Sequence, residues 1–149
     1  VGLTLLAVIN VFTGFWASVD PDGWWSSFPG FGHAWVIGFG SYNEHLVRDV
    51  GGFFLAFGVL FAIAAIYLSK RLAGAALGAW LFFAAPHLAF HLRNRGELSS
   101  TDNLLSLEGL AVEVIIPVVL LILLPRIRLD SEPPPPVERT PTTTEQDAT

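Results

Sequence analysis

Three short polar clusters interrupt an otherwise apolar chain, and their residue types are those that bind metals, move protons or hold polar ligands. The first is Asn43-Glu44-His45-Leu46-Val47-Arg48-Asp49-Val50-Gly51-Gly52. Within it His45, Arg48, Asp49 and Gly52 recur at i, i+3, i+4 and i+7, the spacing of one helical face. The second is Pro86-His87-Leu88-Ala89-Phe90-His91, with His87 and His91 again at i and i+4. The third carries Glu108 and Glu113. Two helices that each offer a ligand pair at this spacing are how helix bundles build metal sites. His45, Asp49, His87 and His91 supply nitrogen and oxygen ligands for a divalent metal, with Glu108 as a fifth ligand or a base, and zinc, iron or copper suits such a set. His45 with His87 or His91 would also serve a bis-histidine b-type haem. No complete metal motif such as His-Glu-x-x-His occurs. Two other readings stand beside these. One is an ion-pair network, with Arg48 bridging Asp49 or Glu108 and the histidines bonded to carboxylates or carbonyls. The other is a cavity for a small polar ligand, a lipid headgroup or a proton.

These clusters must be carried by four apolar stretches, at about 1–18, 45–69, 72–92 and 104–124. Each reaches or approaches the roughly 20 residues that span about 30 Å of hydrocarbon as a helix. Helix is the expected form, because an open sheet leaves its backbone unsatisfied in lipid. Composition agrees: 52% of residues are hydrophobic and 14% charged, against about 25% charged in soluble domains. The predicted fold class is all-α, a four-transmembrane-helix bundle over 1–128, followed by a disordered cytoplasmic tail over 129–149. That tail holds four consecutive prolines, Pro133 to Pro136, and a threonine-rich run, a composition that buries no core. A proline-rich docking motif is the alternative reading of it.

Depth links the clusters. At about 1.5 Å of rise per residue, Asp49, His87 and Glu108 all fall roughly 6–8 Å inside the same membrane face. Glu113 lies deeper, at about 13 Å, and is turned about 140° from Glu108 around an ideal helix. Charged groups inside membrane helices usually face the bundle interior. An outward-facing polar site between the second, third and fourth spans is therefore expected, made from His45, Arg48, Asp49, His87, His91 and Glu108. Pro86 and Pro117 lie inside helices and free the carbonyls of Phe82 and Glu113. Gly74-x-x-x-Gly78 offers close helix approach within the bundle.

Lys70, Arg71, Arg126 and Arg128 would share one side, opposed by Arg93 and Arg95. The positive-inside rule then gives a multi-pass protein of the cell membrane with both termini cytoplasmic. The long external connection opens with Asp20-Pro21-Asp22-Gly23, a turn signal, and continues with Trp24, Trp25, Phe28, Phe31 and Trp35. Those aromatics suit an interfacial belt or a lid over the site. Val1 to about Ser18 also has the length of a signal peptide, but Gly14-Phe15-Trp16-Ala17 sets bulky rings where a peptidase needs small residues. No methionine occurs, even at position 1, so a non-standard start or a missing N-terminal segment is expected.

Several functions are excluded. Without cysteine there is no thiolate nucleophile, iron–sulfur cluster or covalent c-type haem. The net charge of −5, with no basic patch, argues against nucleic acid.

The Asn43-to-Gly51 run together with Pro86-His87-Leu88-Ala89-Phe90-His91 resembles a set of small bacterial four-helix membrane proteins, from the first helix to about Leu124. Size and helix count look like the DoxX-like membrane proteins. The resemblance implies the topology and carries over no residue role. Three functions follow as expectations: a ligand-binding or accessory membrane protein working with a membrane partner or as a homo-oligomer, a metal- or haem-dependent membrane enzyme, or a small transporter or proton-coupled carrier.

Overall fold

Long apolar runs have one general way to satisfy their own backbone in hydrocarbon, the intrahelical ladder, and this chain uses it four times. The computed structural model describes residues 1–126. Its long helices are α1 (Gly2–Val19), α3 (Glu44–Tyr67), α4 (Lys70–Arg93) and α5 (Ser100–Leu123), with a short α2 (Pro21–Ser27) after α1. All four long helices are long and apolar enough to cross a membrane, as an integral multi-pass membrane protein requires. The only strands among the described residues are β1 (Pro29–Gly30) and β2 (His33–Ala34), a two-stranded antiparallel hairpin. The tail expected over 129–149 lies outside the described residues.

Side-chain caps set the helix starts. Asn43 accepts from the Leu46 amide, Ser69 from Leu72 and Ser99 from Asp102, each satisfying one of the donors a helix leaves open. The Ser99 cap starts the last helix at Ser100, earlier than the apolar run alone predicts. Asp20-Pro21-Asp22-Gly23 starts a helix rather than making a turn. Asp20 caps α2 by accepting from the Gly23 amide at 3.1 Å, and Pro21 takes the first position, where its missing N–H goes unnoticed.

Packing follows from missing side chains. α1 lies along α3 with backbone against backbone. A Cβ on Gly14 would sit 2.5 Å from the Leu55 nitrogen, and one on Gly58 would sit 2.8 Å from the Val11 nitrogen. A Cβ on Gly51 would sit 2.9 Å from the Ser18 nitrogen. Close approach of this kind gains dispersion contacts, the main attraction between helices in lipid. Gly74 and Gly78, the pair singled out by spacing, do not perform this role. A Cβ on Gly78 meets nothing within 4 Å, and one on Gly74 makes ordinary contact with the Leu124 side chain.

α4 pairs with α5, and α3 joins the two pairs through α4. At the centre Trp80, with no exposed surface, is ringed by Phe53, Phe54, Phe57, Phe61 and Phe83 at centroid distances of 5.2–6.2 Å. The Trp80 indole N–H donates to the Glu113 carbonyl at 3.1 Å, the carbonyl that Pro117 deprives of its helical partner. Near the tail end Gly2 lies against Leu120. Toward the other end the α1–α3 pair and α5 separate.

Gly51→Val should lower stability by about 1–3 kcal/mol through overpacking. Gly52→Ala, one residue on, faces open space and should leave stability unchanged or raise it by up to about 1 kcal/mol. Thermal unfolding in detergent reads both. Equal effects from the two substitutions would refute the close α1–α3 contact.

Candidate functional site

The gap between the helix pairs is roofed by the connection from α2 to α3. Hairpin residues Gly30, Phe31 and Gly32 all take positive φ, which leaves the Phe31 side chain fully exposed at the tip. The segment is pinned on two sides. The His33 Nδ1–H donates to Asp102 Oδ1 at 2.6 Å, and Trp35 Nε1 donates to the same oxygen at 3.3 Å. Ser99 Oγ donates to Asp102 Oδ2 at 2.7 Å. One carboxylate at the start of α5 therefore holds two side chains of the roof, and hydrogen bonds to a charged acceptor are the stronger kind. On the other side the Glu97 amide donates to the Gly38 carbonyl at 3.0 Å. Gly96, at φ +58, sits so close to that carbonyl that a Cβ has no room. Phe39 then lies 4.5 Å from the His91 ring, edge on.

Beneath this lid lies an open cavity of about 760 Å³, within the roughly 300–1,000 Å³ of small-molecule sites. Trp24, Trp25, Phe28, Trp35 and Phe39 form the roof, and α1, α3, α4 and α5 supply the walls. Of the loop aromatics singled out by the sequence, Trp24, Trp25, Phe28 and Trp35 line this space, Phe39 joins them, and Phe31 projects away.

The polar groups in the walls are few. His87, His91, Glu108, Glu113 and Ser106 line the cavity with Asn43 and Thr13. Phe83, His87, His91 and Phe39 form a column of rings 4.5–5.0 Å apart. Three buried atoms of lining residues have no hydrogen-bond partner: Trp24 Nε1, His87 Nδ1 and Glu113 Oε2. Each of these atoms has essentially no accessible surface among the described residues, so they border the space without facing into it. Glu108 and Glu113 both reach the space despite their angular separation, because it wraps around one side of α5. Glu108 is exposed at its mouth, and Glu113 is partly buried within.

The α3 cluster is placed differently from expectation. His45, Arg48 and Asp49 do share one helical face, but it turns away from the cavity. His45 Nε2 meets Asp49 Oδ2 at 3.3 Å with both side chains largely exposed. Arg48 pairs with Glu44 at 2.8 Å and donates to the Ser18 carbonyl in the last turn of α1, where a cation complements the helix dipole. The inward face of α3 at this level is Leu46, Val47 and Val50. The physical reason is proximity to the helix end, where charged groups reach water more cheaply than a cavity wall. The ligand set His45, Asp49, His87 and His91 is thus not brought together, nor is His45 set beside His87 or His91. Among the described residues no three His, Asp or Glu side chains converge as a metal site.

Sequence reasoning missed Asp102 and His33. Ser99-x-x-Asp102 was the readable signal for the first, since it resembles a capping box. Nothing in the sequence signals that Asp102 would also reach His33 and Trp35.

Asp102→Ala should loosen the lid while Ser99 keeps α5 capped. Loss of charge-assisted bonds worth about 1.5–3 kcal/mol corresponds to roughly tenfold or faster hydrogen exchange at the Trp35 and Phe39 amides, with α1 and α3 unchanged. Unaltered exchange at those amides would show that Asp102 does not hold the lid. No protein-family model matches the chain, and no curated protein or solved structure matches it, so function must be read from the geometry.

Proposed function

We propose that this is a membrane-embedded binding protein whose lidded cavity holds one small amphiphilic molecule. The observation that supports it is a lidded space of about 760 Å³ walled mainly by aromatic and aliphatic groups, with His87, His91, Glu108 and Glu113 as polar side chains among them. A ligand with an apolar body and a hydrogen-bonding head satisfies both kinds of wall. Lipid tails alone would leave the polar side chains unmatched. The lid end faces outward in this reading and the termini lie on the cytoplasmic side. Lys70, Arg71 and Arg126 lie at the tail end and the sequence adds Arg128 just after them, against Arg48, Arg93 and Arg95 at the lid end, the asymmetry that the positive-inside rule reads.

Calorimetric titration of the protein in lipid nanodiscs with 2-naphthol, an aromatic body with one hydroxyl, tests the reading. Saturable one-site binding is expected above the partitioning seen with empty nanodiscs. Gly109 lines the cavity, and a Cβ there comes no nearer than 3.9 Å to Trp35. Gly109→Phe should therefore fill the space and weaken binding at least tenfold. Titration indistinguishable from empty nanodiscs would overturn the reading.

A further inference from the structure

The charge inventory of the cavity narrows the class of ligand. Among the described residues its walls contain two carboxyl groups, Glu108 at the mouth and Glu113 inside, and neither lysine nor arginine. Arg48, on the far face of α3, is engaged by Glu44 and the Ser18 carbonyl. A carboxylate formed in the walls therefore has no lysine or arginine beside it, and an unbalanced charge in a low-dielectric space is costly.

The roof adds an independent observation. Trp24, Trp25, Phe28, Trp35 and Phe39 surround the same space. Aromatic faces carry a negative quadrupole and attract cations, most strongly when both are removed from water, and such cages are a recurring way to recognise ammonium groups.

We infer that the cavity takes a lipophilic organic cation, an ammonium group carried on an apolar body, with the roof rings and Glu113 receiving the positive charge. This rests on the binding-protein reading above. A neutral alcohol would satisfy one oxygen of Glu113, whereas a cation also balances its charge. An anion would meet two carboxylates and no basic side chain.

The test is a matched pair that differs in charge and little else: 2-naphthyltrimethylammonium and 2-tert-butylnaphthalene, each displacing bound 2-naphthol from the protein in nanodiscs. The cation should displace at least tenfold more effectively than its neutral isostere. In Glu113→Gln that preference should fall to about threefold or less; because it is a ratio of two compounds taken within one variant, a change in 2-naphthol affinity cancels from it, and continued displacement by the neutral compound shows that the cavity is intact. Equal or weaker displacement by the cation in the unaltered protein would overturn the inference and leave the binding-protein reading standing. A preference retained in Glu113→Gln and lost in Glu108→Gln would overturn the assignment to Glu113. Failure of 2-naphthol itself to bind would remove both.

Discussion

The α1–α3 contact is the constraint from which the rest of the architecture follows. Three glycines, Gly14, Gly51 and Gly58, let two backbones meet where any side chain would collide. In lipid, where tails are as apolar as leucine, such contact is a main reason for two helices to associate. Drawing α1 onto α3 moves it away from α5. The second pair, α4 with α5, is fixed by a different device, the Trp80 indole donating to the carbonyl that Pro117 frees. Two tight pairs joined along one seam cannot close everywhere, and the space left at the lid end is the cavity. Its existence is a consequence of where the helices are forced to touch.

Polar satisfaction explains what surrounds that space. Near the tail end the bundle core is almost wholly apolar. At the lid end several charged groups close to water find partners, as with Arg48 and Glu44 or Asp102 with His33 and Trp35. Of the four buried side-chain atoms left unmatched among the described residues, three belong to residues around the cavity and the fourth is Asn10 Oδ1 on α1. The lid is held by hydrogen bonds at its two margins and by ring contacts between them. The same segment thus closes the site and supplies most of its aromatic surface.

Much of this was legible in the sequence. The four spans and their helical form follow from apolar length. Pro117 was readable as the cause of a free carbonyl at Glu113, though its partner Trp80, 33 residues away, was not. Direction was the weak point. Periodicity places His45, Arg48 and Asp49 on one face but says nothing about which neighbour that face meets. Depth along the helix axis grouped them with His87 and Glu108, whereas rotation about the axis separated them. Glycine spacing misled for a similar reason: Gly74 and Gly78 have the familiar interval, but the close contact is made by Gly51 and Gly58 with Gly14, at an interval of seven on α3. The Asp102 latch joins residues 69 apart and has no local signature beyond its cap.

The measurement that bears most directly on the cavity between the helix pairs is a cysteine scan of α5. The chain has no cysteine, so each substitution introduces one thiol, and a thiol reacts with a water-soluble maleimide only where water lets it ionise. Positions Leu105, Gly109 and Val112 line the cavity, while Leu104, Ala111 and Ile115, at comparable depth, do not. Rapid labelling at the first three and slow labelling at the second three is the expected result. Equal labelling of both sets, or labelling confined to the second, would contradict a cavity between the helix pairs.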